Sequence, residues 1–149
     1  MMNSSKDKIL KNIRKNSLKK IELKDFNDFD FEPVIFENPL DEFVKNFKAA
    51  GGKIETKKDG VVLKGIFGVA ENGAILLEDV EDPKLYTFFE TITITLKKEN
   101  ILHNMHQAYE NLKIKDFALF MSGPSKTADI EQSLVIGAHG AKEVYLVFE

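Results

Sequence analysis

The chain has 149 residues, 43% apolar and 30% charged, with 24 acidic residues against 21 basic ones and a formal charge of −3. That length suits one domain burying about two-thirds of its unfolded surface, and the charge balance implies no strongly basic face for nucleic acid. The absence of cysteine excludes disulfides, thiolate zinc sites, a cysteine nucleophile and iron–sulfur clusters carried by this chain.

Ser4 to Asp7 reads as a helix start, with Ser4 the N-cap and Asp7 favourable in the first turn. Ile9, Leu10 and Ile13, with Leu18 and Ile21 beyond, form an intermittent apolar stripe on a lysine-rich helix. Its cationic face is either a solvated surface or an arm for an acidic partner. In residues 22–37, Phe26, Phe29, Phe31 and Phe36 alternate with acidic residues, and Pro33 bars a helix. This segment should be extended and pin its rings to the body, so residues 1–37 form an N-terminal arm.

A helix follows, with Asn38 capping, Pro39 in the first turn, Phe43 and Phe47 on one face, and Gly51-Gly52 at its end. Lys53–Thr56 and Val61–Lys64 are strand candidates, with Asp59-Gly60 between them suited to a tight hairpin. Ala74–Leu77 reads as a buried strand after the polar break Glu71-Asn72-Gly73, and Glu78–Pro83 as a surface loop. Thr91–Leu96 alternates strictly, as a strand with two unlike faces does. Ile101–Leu112 has helical spacing, with Asn100 as its cap.

The run Phe117–Met121, the turn Ser122–Thr127, a helix from Ile130 to Gly137 and the strand Val144–Phe148 together read as a βαβ unit. Its two strands should run parallel, and strands alternating with helices imply an α/β fold with a largely parallel sheet. The turn would lie at the carboxyl end of a strand, where open α/β sheets place ligands. No internal repeat or domain linker divides the chain, so residues 1–149 are read as one domain. No segment approaches the roughly 20 apolar residues of a membrane span, and no secretory signal is recognisable. The expectation is a soluble, cytoplasmic protein.

The turn Ser122–Thr127 carries the strongest chemical signal. Gly123 removes a side chain, Pro124 stiffens the turn, and Ser125 or Thr127 can cap the helix, whose first N–H groups would face an anion. Ser122, Ser125 and Thr127 add hydroxyls and Lys126 a positive charge, whereas Asp129 counts against a bare phosphate cradle. Neither glycine-rich nucleotide spacing is present. The residues alone leave the turn open between an anion site and a plain helix cap. Glu71 is the candidate for acid–base or covalent chemistry if an apolar strand junction desolvates it, and otherwise an exposed hairpin residue. Gly73 lets the backbone approach a neighbour or ligand. His139, between Ala138 and Gly140, suits proton transfer, anion binding or a simple turn. His103 and His106 lack a carboxylate to complete a ligand set, so no metal is expected, and no cofactor motif is present.

Ser122-Gly-Pro-Ser-Lys-Thr-Ala-Asp-Ile-Glu-Gln-Ser-Leu-Val-Ile-Gly-Ala-His-Gly140, followed by Glu143-Val-Tyr-Leu-Val147, resembles the C-terminal signature of the LUD domain. More closely, it resembles the lactate-utilisation protein C (LutC/YkgG) family, whose pattern runs Ser-Gly-Pro-Ser-Arg/Lys-Thr-Ala-Asp-Ile-Glu and then Leu-Val-x-Gly-x-His-Gly. Ala70–Leu77 is similar to that family's Ala-Glu-Thr-Gly-Thr run, with Asn72 and Ala74 as departures. The likeness covers about Gly65 to Glu149, and the chain is shorter than typical members. It implies a sheet of the NagB/RpiA/CoA-transferase-like type, flanked by helices and preceded by the helical arm. It also implies a non-redox role in a bacterial system oxidising L-lactate to pyruvate, beside iron–sulfur partner subunits. Glu71, Asn72, Gly73, the Ser122–Asp129 turn and His139 would line one small-anion site. The alternatives are a stand-alone enzyme of that fold class acting on an acyl or phosphorylated substrate, with Glu71 as base or nucleophile, and a non-catalytic binding module.

Overall fold

The structure, a computed structural model, describes residues 5–15, 32–55, 60–78, 84–113, 117–128 and 134–149. It divides into a unit of residues 1–32 and a body of residues 33–149. The first unit contains helix α1 (Ser5–Lys15). Ile9, Leu10 and Ile13 follow helical spacing there and are exposed, as are Lys6, Lys8, Lys11 and Lys15. Its expected cap, Ser4, and the aromatic residues Phe26, Phe29 and Phe31 lie outside the described residues.

The body opens with an extended strap at Pro33–Phe36 and helix α2 (Pro39–Ala49). The local signals of α2 act as anticipated. Asn38 accepts from Asp41 N–H at 3.3 Å, Pro39 needs no donor in the first turn, and Asp41 and Glu42 face the positive helix end. Phe43 and Phe47 are fully buried and stack at 5.9 Å between centroids. Each buried ring contributes roughly 1.5–3 kcal/mol. Gly51, at φ +95°, turns the chain out of the helix.

Strand β1 (Lys53–Ile54) precedes β2 (Val61–Val69), β3 (Ala74–Glu78), the short helix α3 (Leu85–Phe88) and β4 (Thr91–Leu96). A 3-10 turn at Lys98–Asn100 leads to β5 (Ile101–Leu102), helix α4 (Met105–Asn111), β6 (Ala118–Met121), β7 (Lys126–Ala128), β8 (Leu134–Ile136) and β9 (Glu143–Phe148). The main sheet runs β1-β9-β4-β2-β3-β6, with β5 also on β2. Pairings β1–β9, β9–β4, β4–β2 and β5–β2 are parallel, and only β2–β3 and β3–β6 are antiparallel. The expected α/β fold with a mostly parallel sheet flanked by helices is therefore present.

Alternating side chains explain how both faces of the β3 side are covered. Ile75 and Leu77 of β3, with Leu119 and Met121 of β6, join the cluster that holds Phe43 and Phe47 of α2. Leu76, Ala118 and Phe120 point the other way and join the cluster that holds Ala108 of α4. Period-two alternation thus assigns one helix to each face.

Three local expectations are corrected by long-range pairing. The Lys53–Lys64 hairpin does not form: β1 pairs with β9, and β9 and β4 stand between it and β2, all four running parallel. Gly60 does adopt φ +124°, but an added Cβ there would meet Thr91 O at 2.3 Å. The strand partners were set by β9 and β4. Lys57, Lys58 and Asp59 lie outside the described residues, as do residues 79–83 of the expected acidic loop.

The Ile101–Leu112 helix is shorter than its periodicity suggests. Ile101 and Leu102 form β5 on Gly68 and Val69, and the helix starts only where Asn104 accepts from Gln107 N–H at 2.9 Å. Asn100, the expected cap, donates instead to Ile66 O at 2.9 Å. The third correction concerns the expected βαβ unit. β6 and β9 do point the same way, but β3, β2 and β4 separate them. Lys126–Ala128 and Leu134–Ile136, inside or beside the expected helix, form a two-stranded antiparallel ribbon. Thr127, Val135 and Ile136 are β-branched and suit strands, and Gly137 N–H donates to Ser125 O at 2.9 Å to close the ribbon base.

Candidate functional site

Helix α2 is the platform on which the two signature turns rest. The β2–β3 turn, Ala70–Gly73, lies along it. Asn46 Nδ2 donates to Ala70 O at 2.8 Å and to Glu71 O at 3.3 Å. Gly73 has φ +68°, and a Cβ there would sit 2.3 Å from Phe47 N, so only glycine fits. Asn72 Oδ1 accepts from Ala74 N–H at 3.0 Å, tightening the turn.

The second turn, Ser122–Ser125, reaches the carboxyl end of the same helix. Gly123 has φ +70°, and a Cβ there would lie 2.5 Å from Ala50 O. Lys126 Nζ donates to Ala50 O, placing a cation where the helix dipole favours one. The two turns touch through Ser122 Oγ, which donates to Asn72 O at 3.1 Å. Ser125 N–H donates to Ala141 O at 2.9 Å, which draws the His139–Gly140 loop alongside.

These contacts leave an open cleft of about 320 Å³ lined by Ser122, Gly123, Ser125, His139, Tyr86 and Thr87, with Leu119–Met121 among its apolar walls. Four expected residues, Ser122, Gly123, Ser125 and His139, are thereby brought together. Two of the cleft's residues, Tyr86 and Thr87, had no signal in the sequence: they sit on the four-residue helix α3, which carries no motif. Tyr86 is buried and stacks on Phe117 at 5.6 Å.

Other expected residues stand elsewhere. Glu71 is exposed, so the apolar junction does not enclose it. Its Oε2 accepts from Met105 N–H at 2.8 Å, laying a carboxylate against the first turn of α4. Asn72 is joined to the cleft through Ser122, and Gly73 faces α2. Lys126 is turned to α2, and Thr127 belongs to the ribbon. Asp129 lies outside the described residues. The expected helix amides at Thr127 are absent, because that residue is in β7. Polar chemistry in the cleft therefore rests on hydroxyls, the His139 imidazole and loop backbone. Among the described residues no group of three or more His, Cys, Asp or Glu side chains is placed to hold a metal ion, and no helix is long and apolar enough to cross a membrane.

Both turns and the loop at His139 fall within residues 59–148, which match the family model of the LUD domain. The chain belongs to the LUD domain family. It is 36% identical over 106 residues to the uncharacterised protein YkgG of Escherichia coli K12, spanning 64% of this chain and 46% of that one. It is 35% identical over 85 residues to lactate utilization protein C of Anoxybacillus flavithermus, spanning 53% and 39%. It is also 28% identical over 127 residues to the uncharacterised protein NMB1437 of Neisseria meningitidis, spanning 80% and 52%. The chain thus spans about half the length, or less, of these curated relatives. A crystal structure of a DUF162 family protein from Deinococcus radiodurans shares the fold, with a TM-score of 0.51 at 9% identity over 78% of this chain and 99% of that one. Within this LUD domain, the glycines of the two turns have a steric reason at α2, and Ser122 and Ser125 line the cleft.

Proposed function

We propose that this LUD domain protein is a non-redox component of a bacterial lactate-utilisation system, and that its cleft binds a small anionic ligand. Likeness to proteins named lactate utilization protein C, from Anoxybacillus flavithermus and Bacillus pumilus, supports the pathway. The cleft between Ser122, Ser125 and His139 carries the binding reading. Hydroxyl and imidazole donors together with the apolar Leu119 and Met121 in the lining suit a short carboxylate with an apolar end. In this reading residues 1–37 are an arm on a single cytoplasmic domain, and iron–sulfur subunits are its partners. The chain has no cysteine, so any redox centre built on thiolates belongs to those partners.

The test is ligand-dependent melting of the full chain with lactate, pyruvate, inorganic phosphate and acetyl phosphate, each also tried on Ser125→Ala and His139→Ala. A ligand present at about 100 times its Kd adds roughly 2.7 kcal/mol to stability. The expected result is a rise in Tm with a carboxylate that both variants lose while retaining the unliganded Tm. A flat response to all four, or a rise unaffected by the variants, refutes binding at this cleft. Co-purification from native cells tests the partners separately.

A further inference from the structure

The first stretch of the body, Pro33–Phe36, is attached mainly by polar contacts from one corner between β5 and α4. Asn104, which is buried, donates from Nδ2 to Val34 O at 2.8 Å. His103 Nδ1 accepts from Phe36 N–H at 3.1 Å. Val34 and Ile35 are exposed, and Phe36 alone of the strap packs against the main core cluster. The two anchoring side chains differ in one respect: a carboxamide does not titrate near neutrality and an imidazole does. A ring nitrogen accepts an N–H only while it carries no proton, and the imidazolium donates from both nitrogens.

We propose that His103 is an acid-operated latch on this strap. Protonation at Nδ1 sets two donors, ring N–H and Phe36 N–H, against each other. The strap then loses that acceptor and keeps only the Asn104 bond at Val34 and the packing of Phe36, so its hold on the body loosens. The latch is independent of what the cleft binds.

The charged groups around the corner are compatible with such a switch. From the β2–β3 turn, Glu71 N–H donates to His103 O at 3.1 Å, and its carboxylate lies at Met105 N–H. From the strap side, Glu37 follows Phe36 in sequence. On α4, His106 lies 3.3 Å from Glu110. Gln107 is uncharged and receives His103 N–H through Oε1 at 2.9 Å.

The chain has no cysteine, so Val34→Cys gives a single spin-label position on the exposed side of the strap in the full-length protein. At pH 8 the spectrum should be dominated by an immobilised component, and at pH 5 that component should be lost. His103→Asn places Oδ1 at the covalent position of Nδ1 without a titrating proton, so its immobilised component should persist at both pH values. His103→Leu should be mobile at both. A spectrum of the parent chain that does not change with pH, or an equal change in His103→Asn, overturns the proposal. If either variant loses its fold by circular dichroism, the parent chain decides by NMR. His103 Nδ1 and the Phe36 amide proton must then titrate with one midpoint, and a static Phe36 shift or separate midpoints overturns the latch.

Discussion

Gly73→Ala probes the claim that the Glu71–Gly73 turn is seated on the backbone of α2. Two costs combine. A left-handed conformation, required by φ +68°, costs a non-glycine residue roughly 1–2 kcal/mol. The new methyl would also lie 2.3 Å from Phe47 N and 2.7 Å from Phe47 Cα, and backbone in the middle of a helix cannot move aside as a side chain tip can. Overpacking of this kind costs about 1–3 kcal/mol, so the combined loss is about 2–5 kcal/mol. That is a large share of the roughly 5–15 kcal/mol by which domains are stable. A loss of about 3 kcal/mol lowers Tm by roughly 6–12 °C at this chain length. Gly137→Ala is the matched control. Its φ of +78° demands the same conformation, but the methyl would meet Lys142 Cγ at 2.2 Å, a side-chain atom in place of helix backbone, which moves by turning Lys142 away from its Glu90 partner. The first cost, about 1–2 kcal/mol, should then be joined only by the rotamer change that moves Lys142, on the order of 0.5–1.5 kcal/mol. Urea and thermal unfolding followed by circular dichroism measure both variants. If Gly73→Ala costs no more than Gly137→Ala, the turn is not docked on α2 as described.

Two further outcomes follow from the electrostatics. Glu71→Gln removes the charge beside the first turn of α4 while keeping an acceptor for Met105 N–H, so it should lower stability by about 0.3–1 kcal/mol in urea unfolding. It should leave ligand binding at the Ser125–His139 cleft unchanged by calorimetry, and a lost ligand response would place Glu71 in the binding machinery. Lys53 donates to Glu143 at 2.6 Å and to Tyr145 Oη at 3.4 Å. The Glu143 carboxylate first, and then Tyr145, hold its ammonium group above the ordinary 10.5. A folded-state pKa raised above the unfolded value gives stability that is full below 10.5 and lost as pH climbs through the higher folded value. Unfolding midpoints of the parent chain should therefore fall more steeply above pH 10.5 than those of Lys53→Met, and parallel curves would refute the pairing.

The features legible in the sequence were those set by neighbours a few residues apart. The Asn38-Pro39 start and Gly51 exit of α2, the alternation of β4 and the apolar run of β3 were each readable. So were the glycines at 73 and 123, although what they approach was not: both face α2, far away in sequence. The same limit explains the site. Ser122, Gly123, Ser125 and His139 announced themselves by a dense signature, whereas Tyr86 and Thr87 enter the cleft on a helix with no pattern of its own.

What the sequence determined by itself was the α/β class, the identity of most elements and the family to which the chain belongs, because periodicity, capping and motif density are local properties. Tertiary structure alone decided that β1 would pair with β9, that Ile101 and Leu102 would become a strand, and that Lys126–Ile136 would contain a ribbon in place of the expected helix. For β1 and β5 a short segment with ambiguous propensity was settled by a distant partner, the edge of β9 and the far end of β2, while β7 and β8 were settled by pairing with each other. Such partners supply hydrogen bonds and buried area that outweigh the tenths of a kcal/mol by which helix and strand preferences differ for most residues.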